Sequence, residues 1–304
     1  MIKVSYIHDI EDKYYEKIAK TKMRKFKDKT FENYYNQYIK SKVAGYELKD
    51  LLCGSYEELL IIKKKIGTKH NNIIKSFFNY DKGDKNTKLS KLQPKISTFF
   101  ETELKIYTCY FCNIEFINKF KISDGKSKNG CTLDHYLKKS DYPYLALSLY
   151  NLIPSCYVCN SKVKGKINTK DTKKFYNFSP SSKNFDFHEK VKFKTFMQNE
   201  HLQIEKKQDF KLLLKEDFSD NYKQYIEVFQ LNGRYEYHKY KVIEMIKKRK
   251  EYPDSRIAEL AQLTKKTQEE IKQDLFGEYL FDDNLYKRPL SKLIKDISQE
   301  LGLI

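Results

Sequence analysis

The chain has 304 residues, and its Lys and Arg outnumber Asp and Glu 59 to 41, for a formal net charge of +18. That length suits two or three compact units, and no apolar run is long enough to span a bilayer. A surface this basic attracts polyanions: nucleic acid first, an anionic membrane second, with the codon bias of an AT-rich genome as the alternative source of the lysines. The N-terminus carries no signal-peptide apolar segment, which predicts a cytoplasmic protein.

Along the chain, 1–95 reads as a mainly helical region. Phe31, Tyr34, Tyr35, Tyr38 and Ile39 recur at helical spacing, and a second helix is expected over 56–66, with Leu59, Leu60 and Ile62 inward and Lys63, Lys64 and Lys65 outward. The polar stretch 79–86 predicts a surface loop. Pro94 predicts the start of a short helix through Phe99, Phe100 and Leu104.

The character changes over 96–190. Four of the six cysteines fall into two C-x-x-C pairs, Cys109/Cys112 and Cys156/Cys159, while Cys53 and Cys131 stand alone. A C-x-x-C turn aims two thiolates at one ion, and two such turns complete a closed tetrahedral site, which predicts structural zinc. A thioredoxin-like redox pair is the competing reading, and it wants a βαβ context that the pattern lacks. The lone cysteines read as small core residues. Beyond this segment, 191–304 reads as a mainly helical basic region. The alternation of Phe185, Phe187, Val191, Phe193 and Phe196 predicts extended structure. A basic amphipathic helix follows, with Tyr240, Ile243, Ile246 and the run Lys247–Lys250, broken at Pro253. Further helices are expected over 255–263, 267–276 and 290–301.

Between and beside the cysteine pairs lie Leu133-Asp134-His135-Tyr136-Leu137-Lys138-Lys139-Ser140 and Asn151-Leu152-Ile153-Pro154-Ser155-Cys156-Tyr157-Val158-Cys159-Asn160-Ser161-Lys162. These residues resemble the HNH group of His-Me finger nucleases: an Asp-His pair, a central Asn before an apolar Ile-Pro turn, and C-x-x-C-N opening a helix. The resemblance covers 107–166, a fifth of the chain. Less specifically, the flanks resemble bacterial HNH proteins of anti-phage defence. The third motif residue, often His, is Asn160 here, as in phage junction-resolving endonucleases of the same superfamily.

The resemblance implies an α+β fold, mostly helical, with a central zinc-stabilised ββα-metal module flanked by helical regions. It implies a metal-dependent endonuclease acting on nucleic acid, DNA foremost, as an effector in bacterial defence with a protein partner in such a complex and no membrane association. His135 becomes the general base, since an imidazole titrates near neutrality and can take a proton from water. Asp134 and Asn160 become an all-oxygen site for a catalytic Mg²⁺ or Mn²⁺, and Asn151 fixes the loop and orients His135. Asp134 and His135, being adjacent, can converge only where their strand ends or bends. Lys138, Lys139, Lys162, Lys164 and Lys166 become phosphate contacts, with solvated surface as the alternative. The competing function is a zinc-stabilised nucleic-acid-binding or complex-assembly protein without catalysis, which would gain nothing from an acidic metal ligand beside phosphate.

Overall fold

A computed structural model describes residues 1–4, 6–22, 29–68, 72–79, 89, 92–122, 127–164, 179–200, 203–277, 280–281 and 284–304. The fold is α+β and mostly helical, at about 53%, with small antiparallel sheets. The chain forms two compact units, one made of Lys3–Tyr110 and Glu115–Phe185, the other of Met1–Ile2, Phe111–Ile114 and Asp186–Ile304.

The first unit begins with α1 (Ile10–Ala19), α2 (Phe31–Tyr38), α3 (Leu48–Cys53), α4 (Tyr56–Ile66), α5 (Asn72–Phe78) and α6 (Leu92–Thr102). In α1 the apolar residues Ile10, Tyr14 and Ile18 recur every four positions, so one stripe faces the core and all three are buried. α4 starts at a capping box in which the Ser55 side chain accepts from the Glu58 amide and the Glu58 carboxylate accepts from the Ser55 amide. Two of the helix's orphan donors are thereby satisfied. It stops at Gly67, whose φ of 71° lies in the left-handed region that glycine tolerates best. Phe31 of α2 stacks on Phe77 of α5 with centroids 4.4 Å apart, and Pro94 sits in the first turn of α6, where a missing N–H costs nothing.

Four short strands follow: β1 (Lys119–Lys121) pairs with β2 (Ser127–Asn129), and β3 (Thr132–His135) with β4 (Leu152–Ser155), both antiparallel. β3 leaves the β1–β2 hairpin through Gly130, where a Cβ would stand 2.6 Å from the Asn118 carbonyl oxygen, so only glycine fits the approach. Between β3 and β4 the segment from Pro143 to Asn151 is almost entirely buried. The helices hold it by polar contacts. Tyr14 donates to the Leu147 carbonyl at 2.8 Å, Tyr144 donates to the Gly67 carbonyl at 2.9 Å, and the Ser148 hydroxyl donates to the Leu51 carbonyl.

The second unit contains α7 (Phe187–Lys190), β5 (Val191–Met197), β6 (Phe210–Glu216), α8 (Lys223–Val228), α9 (Leu231–Tyr235), α10 (Lys239–Glu251), α11 (Asp254–Thr264), α12 (Gln268–Phe276) and α13 (Ser291–Glu300). β5 and β6 pair antiparallel from Val191↔Glu216 to Met197↔Phe210. The alternation of aromatic residues predicts extension from Phe185, yet the strand begins at Val191. The Asp186 carbonyl accepts from the Glu189 and Lys190 amides and winds residues 187–190 into one helical turn. α13 lies against β5: the Asp296 carboxylate accepts from the Phe193 amide at 2.9 Å and from the buried Lys292 ammonium at 2.8 Å. α10 ends before Pro253, as the sequence predicts, and α11 starts directly after it.

Candidate functional site

Cys109, Cys112, Cys156 and Cys159 are all buried, and their sulfur atoms lie within 4.8 Å of one another. They come together through two pieces of backbone. The Cys109 amide donates to the Glu115 carbonyl at 3.0 Å, turning the first pair back on itself, and the Tyr110 amide donates to the Pro154 carbonyl at 3.3 Å, next to the second pair. Within each turn an amide points at sulfur: Ile114 N–H at Cys112 Sγ and Cys159 N–H at Cys156 Sγ, both at 3.4 Å. Such donors stabilise thiolate charge. A tetrahedral zinc with Zn–S of about 2.3 Å sets sulfurs about 3.8 Å apart, so the cluster needs little contraction to hold one ion. Among the described residues it is the one group of three or more Cys, His, Asp and Glu placed to hold a metal. Cys53 and Cys131 lie outside it. Their thiols donate to the Glu11 and Thr132 carbonyls, and burial pushes both up to about 12, which keeps them protonated.

Asn113, which follows the first pair, carries no motif signal because Asn is common in loops. Its φ is 54°, and its side chain ties the second unit's C-terminal segment. Nδ2 donates to the Leu285 and Arg288 carbonyls at 3.0 and 3.1 Å, and Oδ1 accepts from the Lys292 amide at 3.1 Å. The neighbouring Cys112 carbonyl accepts from the Tyr235 hydroxyl at 2.7 Å.

β3 ends at His135, so Asp134 and His135 occupy the strand terminus, paired across the hairpin with Ile153 and Leu152. The His135 ring is half-buried and its Nε2 lies 3.0 Å from the Ala146 carbonyl oxygen. A carbonyl only accepts, so Nε2 carries the proton, and in the neutral ring Nδ1 holds the lone pair. Asn151 is fully buried and closes the loop between β3 and β4. Its Oδ1 accepts from the Leu137 amide at 2.6 Å, and its Nδ2 donates to the Leu137 and Leu145 carbonyls at 3.1 and 2.9 Å. Its carbonyl accepts from the Tyr136 amide at 2.9 Å. Leu145 precedes Ala146, so the residue whose oxygen meets His135 is held from the next peptide.

After Cys156 the chain opens a helix whose first turns are π-helical, Val158–Val163. Asn160 is half-buried, with its amide donating to the Cys156 carbonyl at 3.1 Å. The wide turn ends at Lys164, whose buried ammonium pairs with the buried Asp134 carboxylate and also donates to the His135 carbonyl at 2.9 Å. Nζ stands 5.0 Å from the centre of the Tyr136 ring. Burial pushes the Asp134 carboxyl up against the pull of Lys164, and burial likewise pulls the Lys164 ammonium down against Asp134.

The other basic residues take different places. Lys162 is exposed on the helix, with its ammonium 5.9 Å from the Tyr157 ring centre. Lys138 and Lys139 are half-buried in the turn after β3. Lys166 lies outside the described residues. Among the described residues, no helix is long and apolar enough to cross a membrane.

No family model matches the chain, and no match was found to a curated protein or to a solved structure.

Proposed function

We propose that the protein is a metal-dependent endonuclease of the HNH type that hydrolyses phosphodiester bonds of nucleic acid, DNA foremost. The observation that carries the reading is the seat of His135. Its ring sits at the end of β3 beside Asp134, with Nε2–H donating to the Ala146 carbonyl, a contact that fixes the tautomer in which Nδ1 is the basic nitrogen. A general base needs that fixed tautomer.

The Ala146 carbonyl stabilises the imidazolium as His135 takes a proton from water, because its oxygen faces the N–H whose positive charge grows. Asn151 keeps that carbonyl in place through Leu145. The cysteine cluster, its donor set fitted to zinc, closes the two ends of the β3–β4 module so that the strand terminus does not open. Asp134 and Asn160 would hold the catalytic ion, two oxygen donors of the kind that suit Mg²⁺ or Mn²⁺. When bound, that ion supplies charge neutralisation on the phosphate and on the leaving oxygen. Asp134 is matched by Lys164, so its carboxylate would hold the ion together with, or in place of, that ammonium. The resemblance of the flanks extends the proposal to an effector role in anti-phage defence, with a partner protein holding the activity in check.

The same Asp134–Lys164 pair favours a second reading: a zinc-stabilised nucleic-acid-binding or complex-assembly protein in which Asp134 is structural. Incubation of the purified protein with plasmid, single-stranded DNA and RNA in Mg²⁺, Mn²⁺ or EDTA separates the two, with zinc content measured in each sample. Cleavage in Mg²⁺ or Mn²⁺ that EDTA suppresses while zinc is retained is the expected result. Binding without cleavage in every metal leaves the second reading.

A further inference from the structure

The β5–β6 hairpin has one covered face and one open face. Val191, Phe193, Phe210, Leu212 and Leu214 are buried on the covered side. Side chains alternate across a strand, so the other face carries Lys192, Lys194 and Phe196 of β5 opposite Lys215, Leu213 and Lys211 of β6. Four of those six positions are lysine and none is acidic, in a chain where 59 of 304 residues are Lys or Arg. Lys194, Lys211 and Lys215 are exposed. Lys192 is half-buried and turned to the Asp296 carboxylate, 3.7 Å away. The other three form no ion pair among the described residues. The Lys215 ammonium stands 5.7 Å from the centre of the Phe196 ring, a cation–π contact that keeps it on this face. Lysines commonly guard a sheet edge against pairing with another strand, but both edges here are already occupied. On β5 the Phe193 and Thr195 amides donate to the Asp296 and Glu300 carboxylates, and on β6 the Leu214 amide donates to the Asn232 side chain. Lys192 also faces Lys215 directly across the ladder, a like-charge pairing that costs stability.

We propose that the open face of β5–β6 binds the phosphate backbone of nucleic acid through Lys194, Lys211 and Lys215, without sequence preference. Lysine is a point-charge partner for phosphate. Alternate positions of a strand are about 7 Å apart, so the three ammonium groups spread over several phosphates and do not converge on one small anion. Protein surfaces intersperse both signs, whereas duplex DNA presents one negative charge per about 1.7 Å of axis with no positive charge between. A face of one sign matches the DNA. The face carries no Arg, Asn or Gln, side chains that pair bidentately with guanine or adenine edges, so its contacts position the backbone and do not read bases. A lipid surface fits less well, because interfacial binding needs a broad apolar face and Phe196 is the one exposed large apolar side chain here. The charge pattern points to a polyanion, and the choice of nucleic acid among polyanions rests on the nuclease reading. The face belongs to the second unit and His135 to the first, so the proposal adds an anchoring surface to the cleavage residues.

The test measures binding of the full chain to labelled duplexes of two unrelated sequences, by anisotropy over a salt series without added Mg²⁺ or Mn²⁺. One variant combines Lys194→Gln, Lys211→Gln and Lys215→Gln. A control removes the same charge elsewhere, through Lys42→Gln, Lys64→Gln and Lys250→Gln, all at exposed positions. A third variant changes the three face lysines to Arg. A thermal melt checks each fold, and Lys194→Gln alone serves if the triple variant does not fold. The face variant is expected to weaken binding to both sequences by about tenfold or more at low salt. Its slope of log affinity against log salt is expected to fall by about three, and that of Lys194→Gln by about one. The Arg variant is expected to bind as the wild type does, and the control to keep the wild-type slope. Equal weakening by the face and control variants would reduce the effect to net charge and overturn the inference. Wild-type affinity in the face variant, with cleavage by the wild-type protein in Mg²⁺ or Mn²⁺, would overturn it and leave the nuclease reading standing. Affinity lost in the face variant alone, in a protein that cuts nothing in any metal, would keep the binding face and remove the nuclease reading. A wild-type protein that binds polyglutamate or phosphatidylserine vesicles but no nucleic acid would give the face another partner and overturn the inference.

Discussion

Asp134 and Lys164 form a buried pair in which each charge depends on the other. Removing one partner of such a pair strands the second, at about 3–5 kcal/mol. Lys164→Met is therefore expected to lower stability by an amount in that range, and Asp134→Asn in the same chain to recover much of it. The variant also reports on the proposed metal. With the ammonium gone, Mg²⁺ or Mn²⁺ becomes the cation that can balance Asp134, so added Mn²⁺ should raise the melting temperature of Lys164→Met more than that of the wild type. Thermal denaturation across a Mn²⁺ titration checks this without any cleavage assay. Equal shifts in the two proteins would remove Asp134 from the metal site. The Asp-His adjacency was legible in the sequence because it is a contiguous pair, and its place at a strand end was an expectation of the family resemblance, since alternation lets adjacent side chains converge only where a strand ends or bends. The burial of Lys164 was not. In a chain with this many lysines the residue reads as a phosphate contact or as solvated surface, both outward-facing, and the π-helical turn that brings it round to Asp134 depends on one extra residue per turn that no apolar periodicity records.

The two cysteine turns are the element-scale feature on which the hairpin rests. Four buried thiols without an ion contribute only what small apolar side chains do, whereas a metal they share contributes binding energy to folding, on the order of 10 kcal/mol in small zinc modules. The protein is expected to carry one zinc per chain, and Cys159→Ser is expected to lose zinc and to melt at a markedly lower temperature. Elemental analysis of protein purified without chelator checks the first, and calorimetry the second. Protein that is zinc-free and as stable as ever would remove the clamp. Element boundaries were readable where a chemical signal marks them. Thr267 and Glu270 form a capping box at the start of α12, as Ser55 and Glu58 do at α4, and Pro253 separates α10 from α11. They were unreadable where the determinant is distant. The turn of α7 is held by Asp186, whose carboxylate accepts from the Tyr222 hydroxyl at 2.6 Å, 36 positions away. β1 is three exposed residues long, too short for a pattern.

Across the whole molecule the charge of +18 makes association with a polyanion a counterion-release equilibrium. The affinity for DNA is expected to fall steeply between low and physiological salt. Lys162→Glu, at an exposed position on the helix after the second cysteine pair, is expected to weaken binding to all sequences alike and to reduce the slope of log affinity against log salt by about one. Anisotropy at several salt concentrations reads both. An affinity indifferent to salt would contradict the assignment of a polyanionic partner.

Single-turnover cleavage of labelled DNA by zinc-loaded His135→Ala, beside the wild type and with DNA affinity measured in parallel, separates chemistry from binding. An imidazole that moves a proton in the transition state adds little to ground-state affinity, and a general base is worth about 10²–10⁴-fold in rate. The variant is expected to fold, to keep its zinc, to bind DNA nearly as the wild type does, and to lose cleavage by at least that factor, with no recovery on added Mn²⁺. A folded, zinc-loaded His135→Ala that cuts at the wild-type rate would contradict the assignment of His135 as the base and, with it, the HNH mechanism.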